Sequence, residues 1–555
     1  MTEIAEPSQT QARVDGSVVN AGRLTSWLSF FGVVAASFAG IGLIQSTFFP
    51  VSVFSGRYPG INLTVLVSIG LGSALVLMTA FLSIGSLIRR PGPDYVLASR
   101  TISPRFAFAS SLTLVVGGGL FMGGMVSTIT RQFAPDFLRS LASIFGIYDL
   151  QAISTAIGTQ QTAAIFGSVI LFVVFAISIL APWAIRAILQ TGFILGVVGW
   201  VVTLYQFGSI YPNGFTAQFD GIFGTGTSEG HINLAYQFGM TSASSPAATV
   251  IILGLLAGLG IFFGSALPTL MASETAQPQK KLIPGGLLAV LVGGGLLIAT
   301  VALLERAVPW QFLAAESYLL ARNIEITGGF VMPWLPFYAA VIQPVPILVI
   351  VSGAIWLYML VLFVQIFMMT LSRVIKAWAE DGIVPEWAGS VHAKQHSPLI
   401  AVFLVAAIMQ VGLVDGIQGG DLSRWLSLPI VVALSQLVPM AGLMLFPFRK
   451  PEWFREERGF LALRIFKLPL ISILGFICMI FMVWVLAGGV LHKEHWLPIT
   501  AGTYLLPGLV FVGGLAWYSL RWRLLKRHGV DLKPVFASLP GVDDLTHGED
   551  GVGLG

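Results

Sequence analysis

The sequence predicts an all-α polytopic membrane protein with twelve transmembrane helices. Two observations carry this. Of 555 residues, 55% are hydrophobic and only 10% charged, with a mean hydropathy of +0.85. An ordinary water-facing surface needs roughly 25% charged residues. The apolar residues also fall in runs of about 20, the length at which a helix crosses a bilayer. A soluble enzyme, a disordered chain and a nucleic-acid binder are thereby excluded, and the lipid bilayer is the expected surrounding. The net charge of +4 selects no partner, and the single cysteine, Cys478, cannot close an intrachain disulfide.

Along the chain, residues 1–23 are polar and read as a disordered cytoplasmic tail rather than a cleaved leader. The transmembrane region, 24–520, starts with spans at 24–48, 62–88 and 106–130. Asn62 and Thr64 fit a glycosylation acceptor, but at a membrane edge the match is read as chance. Spans four and five, 162–182 and 183–209, run together, with Pro182 and Arg186 marking the turn. The loop 211–245 is rich in Gly, Ser, Thr and Asn and reads as a flexible linker. Its Gly224 and Gly226 resemble a phosphate loop only weakly, with no strand before them and no helix pattern after. Spans six to ten are 247–271, 283–304, 336–371, 398–414 and 425–446, the eighth being the longest and the ninth the shortest. The last two are 468–491 and 497–520, and 521–555 reads as a cytoplasmic tail, disordered from Leu532.

Orientation follows from the basic residues. With the N-terminus inside, 23 of the 30 Lys and Arg fall on the inner side and 7 on the outer. That bias places both termini in the cytoplasm and suits a cell membrane.

Twelve such spans suit a transporter, a channel or an intramembrane enzyme. Arg186 is the one charged residue inside the predicted spans, near a cytoplasmic end. A charge at the bilayer centre costs about 2.5–3.5 kcal/mol or more and usually marks function. Without such charges, proton relays, intramembrane protease sites and ion-selective charge rings lack their parts. No catalytic residue, metal or cofactor is expected. His392 and His396 lie in a loop and His492 and His495 at an outer edge, and both pairs read as solvated.

Glycine is what remains at mid-depth. The first span carries Gly40, Ile41, Gly42, Ile44, Gln45, Ser46 and Thr47; the sixth carries Gly254, Gly258, Gly260, Phe262, Phe263, Gly264 and, beyond, Pro268. Each mid-helix glycine costs roughly 1 kcal/mol of helix preference. Clustered glycines at the first position of each of two five-helix halves fit discontinuous helices, whose freed N–H and C=O groups bind solutes. Close packing through small residues is the competing reading. Gly254, Gly258, 117–119 and 293–295 fit that one well.

Three inner loops add to this. They carry Arg90-Pro91-Gly92-Pro93-Asp94-Tyr95 with Ser99, Arg100 and Pro104; Glu274-Thr275-Ala276-Gln277-Pro278; and Ser372-Arg373 with Ala377, Asp381-Gly382, Pro385 and Ser397-Pro398. In sequence, order and position they resemble the amino acid permeases of the amino acid–polyamine–organocation (APC) superfamily. The basic stretch from Trp517 to Leu532 is similar too, so the likeness covers about 24–535.

The resemblance implies a five-plus-five inverted repeat of the LeuT type, with repeats at about 24–209 and 247–446 and peripheral helices at 468–520. It implies a permease that moves an amino acid or related amine by alternating access. The solute would sit between the first and sixth helices, at Gly40 to Thr47 and at Gly260, Phe262, Phe263 and Gly264. The family's first-helix turn is glycine-rich, whereas here Ile44, Gln45 and Ser46 stand in it, which favours an amide, amine or small organic solute. The fifth-helix lysine that some members use for protons is absent near Thr191, and Ser352 is the one Ser or Thr between Tyr338 and Met369. Uniport or exchange is therefore expected, without proton or sodium coupling. Arg100, Glu274, Arg373 and Asp381 stand either as a cytoplasmic ionic gate or as a solvated surface. A transport-deficient sensor or a channel on the same fold remains the alternative function.

Overall fold

The computed structural model describes residues 24–241, 245–322, 324, 333–392, 395–420, 422, 426–455, 459–491 and 501–537. Eleven of its helices are long and apolar enough to cross a membrane. The bent pair Phe30–Ile41 and Ser46–Arg57, whose halves meet at 45°, makes a twelfth if it is counted as one span. Each of the twelve predicted spans has a counterpart. The tails 1–23 and 538–555, and His492 and His495, lie outside the described residues.

Several boundaries move, for local reasons. The first helix starts at Phe30, not Leu24, because Ser29 caps it through Gly32 N–H (3.1 Å) while Trp27 and Leu28 bond elsewhere. The second span, Leu63–Leu87, is capped by Asn62, whose side chain accepts from Val65 N–H at 2.8 Å. That is a structural use for Asn62. The third continues through a π-turn as Pro104–Phe145. The eighth is Pro346–Glu380; Leu335–Ile342 is a separate short helix, cut off before Pro346. Proline cannot donate to a preceding turn and is tolerated in the first turn of a helix, where Pro93, Pro104, Pro182, Pro278 and Pro346 stand.

The loop read as a flexible linker is folded. Phe215–Phe223 and Thr227–Gln237 are helices, the second starting directly after Gly226. Phe215, Phe219 and Phe312 pack ring on ring within 5.8 Å. The loop's own apolar residues, spaced at helical intervals, outweigh its polar composition.

The first helix lies at the centre, against spans five, six, seven and eight. The third packs on the ninth, tenth and twelfth, and the eleventh on the tenth and second. Large apolar side chains such as Phe172, Ile194, Val201, Ile347, Phe403 and Val512 face outward. In a bilayer that surface needs no covering.

Candidate functional site

Phe30–Ile41 ends on Gly42, which sits in the left-handed region at φ +62°. Glycine enters that region without a Cβ penalty. The ring of Phe363 lies about where a Gly42 Cβ would be, 2.8 Å from it. The interruption is narrower than expected. Leu43–Phe48 is helical again, so the break is Gly42 rather than the whole stretch to Thr47. Ser46 fills the turn, its hydroxyl donating to the carbonyls of Ile41 (2.6 Å) and Gly42 (3.0 Å). Thr47 is buried beside it. The side chains of Ile44 and Gln45 lie outside what is described.

The sixth span changes character where its glycines end. Ala247–Phe262 is α-helical, and Phe263–Glu274 continues as a 3-10 helix containing Pro268. Gly260 and Phe262 are therefore on the α side, Phe263 and Gly264 on the 3-10 side. Pro268 donates no N–H, which leaves a carbonyl one turn back without its helical partner. Phe262 is fully buried; Phe263 meets Phe81 edge-on at 5.6 Å.

The backbones of the two interrupted helices meet at Gly40 and Gly264. A Cβ on Gly40 would land on the carbonyl of Gly264, and one on Gly264 on the carbonyl of Gly40. At this pair the close-packing reading of the glycines holds, directly beside both interruptions. By contrast, a Cβ on Gly260 would meet only Pro429, at 3.7 Å. Phe363 and Gln365 of the eighth span went unnoticed in the sequence. Gln365 is fully buried at mid-span with its carbonyl oxygen unpartnered. Its one signature in the sequence is a lone amide between Leu360 and Met369.

The four expected gate residues form two buried pairs. Arg373 grips Glu274 with two bonds, Nε to Oε1 at 2.7 Å and Nη2 to Oε2 at 3.0 Å. Trp27 donates to the same carboxylate at 2.8 Å. Arg100 holds Asp381 through both terminal nitrogens, Nη2 to Oδ1 at 2.7 Å, and Tyr95 adds a bond to Oδ2 at 2.7 Å. Arg373 and Glu274 are each 1% exposed, so the solvated-surface reading is corrected. Burial first, and then the Asp381 carboxylate, push the Tyr95 phenol well above its usual range, which keeps it a donor. Around this core, the backbone N–H groups of Trp27 and Leu28 donate to the carbonyl of Glu274, and Arg186 binds the carbonyl of Trp27. The chain before the first helix is thus tied to the end of the sixth and to the fifth.

Two further features frame the site. Asp94, at the start of Pro93–Thr101, is buried against Gln436 at 3.4 Å with Oδ1 unpartnered. At the other end, His231 Nδ1 meets Glu316 Oε1 at 2.6 Å, and Phe133 meets Phe48 edge-on and stacks on Trp334, each at 5.5 Å. His392 and His396 share one turn, and no group of three or more His, Cys, Asp or Glu forms among the described residues.

Eleven apolar spans, or twelve with the bent pair counted as one, define a multi-pass membrane protein. The sequence model of the family described as amino acid permease matches residues 26–510, and the chain belongs to that family, within the APC superfamily. No curated protein matches it. Membership supports a transporter and implies an amino acid or amine as its small-molecule solute.

Proposed function

We propose that this permease carries an amino acid or related amine across the cell membrane by alternating access, as a uniporter or exchanger. The observation that carries this reading is the pair of interruptions, at Gly42 and at Phe263, on helices whose backbones meet at Gly40 and Gly264. The carbonyl that Pro268 leaves without a helical partner suits an ammonium group, and freed N–H groups at a helix break suit a carboxylate. Gly260, Phe262 and Phe363 stand as pocket walls. In this reading the spans form a five-plus-five inverted repeat, both termini are cytoplasmic, and one bundle rocks against the other.

The cytoplasmic mouth closes when Arg373 meets Glu274 and Arg100 meets Asp381. Each pair joins separate elements: the eighth span to the end of the sixth, and Pro93–Thr101 to the end of the eighth. Opening must part them and let water replace the lost partner, because an unpaired charge left dry costs several kcal/mol. The closed pairs therefore favour one side until solute binding rearranges the first and sixth helices.

A sensor or channel that has lost coupled transport is the second reading. Ser46 favours it, since its hydroxyl already occupies the Ile41 and Gly42 carbonyls.

Counterflow in proteoliposomes separates the two. Vesicles are preloaded with unlabelled amino acids and amines, and entry of each labelled compound is followed without an ion gradient. Saturable accumulation of a defined subset supports the permease reading and names the solute class. Unsaturable flux indicates a channel, and binding without flux a sensor. Uptake that requires a proton or sodium gradient overturns the uncoupled mechanism.

A further inference from the structure

A cavity of about 540 Å³ opens where the third span begins, the twelfth ends and the short helix Lys533–Ala537 folds back. Its wall includes Arg105, Arg523 and Lys533, with Ser103, Trp522 and Phe536. None of the three cations has an ion pair among the described residues. No acidic residue lines the cavity. Ser103 and Pro104 begin the third span, and Ser103 makes no capping bond through its side chain. The first-turn N–H groups of a helix have no partner inside it and carry partial positive charge. Three cations and a helix start thus converge on one hollow.

The other wall is apolar. Tyr518 and Trp522 stack at 6.1 Å, and the ring of Phe536 lies 5.2 Å from the Arg100 guanidinium. Like charges held together unpaired are unfavourable, and an anion is what relieves them. The position, at the ends of two spans on the face with the basic excess, is the membrane–water boundary. There a phosphate can enter with its acyl chains still in lipid, and basic pockets between helices at this level suit anionic headgroups.

We infer that this cavity binds the phosphate of an anionic ligand, supplied by a phospholipid headgroup of the cytoplasmic leaflet. Arg105, Arg523 and Lys533 hold the phosphate oxygens, and Trp522 and Phe536 cover the apolar part. The site stands apart from the Gly40–Gly264 crossing, so it holds whether or not the chain moves a solute.

The test uses the full chain in detergent and reads retention of phosphatidylglycerol against phosphatidylcholine by native mass spectrometry. Thermal shifts with inorganic phosphate run in parallel. Preferential retention of phosphatidylglycerol is expected, weakened about fivefold by each of R105Q, R523Q and K533Q, at about 1 kcal/mol per cation. If instead inorganic phosphate alone stabilises the wild type but not the triple variant, the phosphate site stands and its source is a soluble anion. Retention and thermal shift that are both indifferent to the three substitutions overturn the site. The three side chains are exposed, so the variants should melt with the wild type in phosphatidylcholine alone, which serves as the folding control.

Discussion

At the residue scale, the strongest commitments are buried charges. Arg373 and Glu274 lie out of water together, and removing one strands the other. Arg373→Gln should therefore cost about 3–5 kcal/mol, while the double variant Arg373→Gln/Glu274→Gln should recover most of it. Thermal melts of the purified variants check the stability, and counterflow checks the gate. Unchanged expression and transport in Arg373→Gln would remove the gate from the mechanism. Asp94 makes a second prediction. Burial, the largest influence, raises its carboxyl above the usual value, against weaker lowering by hydrogen bonds to Tyr95 and Gln436. A carboxyl raised in the folded state favours its neutral form there. The penalty for holding it charged grows as pH rises from the ordinary carboxylate range towards the raised value, and it is complete above that. Asp94→Asn should thus raise the melting temperature at neutral pH, with a gain that shrinks to nothing as pH falls below the ordinary carboxylate range. A gain independent of pH would point to packing instead. Neither role could be read from spacing, because Arg373 and Glu274, like Asp94 and Gln436, are far apart in the chain and only the fold makes them partners.

At the level of elements, the first helix bends at Gly42, the hinge of the proposed mechanism. Alanine there would have to hold a left-handed backbone, at about 1–2 kcal/mol, and push back the Phe363 ring. Gly42→Ala should slow counterflow by more than it lowers stability, since the helix either straightens or strains at every cycle. Equal rates in variant and wild type would show that the bend does not move. The elements were also the most legible part of the sequence. Apolar runs fix the spans because a helix in lipid must satisfy its own backbone and face outward with apolar side chains. Legibility failed where composition and packing disagree. The stretch 211–245 looked like linker from its Gly and Ser, yet Phe215, Phe219 and Phe223 sit on one helix face and bury against Phe312 and Phe337. The break around Gly42 was foreseen from glycine, but not its narrowness. Ser46 lets the helix resume at once by taking up the exposed carbonyls, a bond with no signature in sequence. At the candidate site the glycines and the four charges were visible, whereas Phe363, Gln365 and Tyr95 emerged only when distant spans came together.

For the whole molecule, the issue is which side is closed. Trp27, Glu274, Arg373, Tyr95, Arg100 and Asp381 tie the start of the first helix, the end of the sixth, the helix Pro93–Thr101 and the eighth span together, and in the proposed orientation and mechanism this cluster is the inner seal. Residues just behind that seal should be screened from the cytoplasm and uncovered when it opens. Ala272, two positions before Glu274, is buried and close in size to cysteine. The native Cys478 is buried in the eleventh span and can be replaced by alanine to leave one reporter thiol. In Ala272→Cys on that background, a membrane-impermeant maleimide offered from the inner side should react slowly. Adding Asp381→Asn, which removes one pair and leaves Arg373–Glu274 in place, should raise the rate by about tenfold if the lost pair shifts the closed state by about 1.4 kcal/mol. A transported solute should then change the rate in the same molecule, because binding and closure share one equilibrium. A maleimide rate that responds to neither the substitution nor the solute would mean that these charges hold the fold together without gating it.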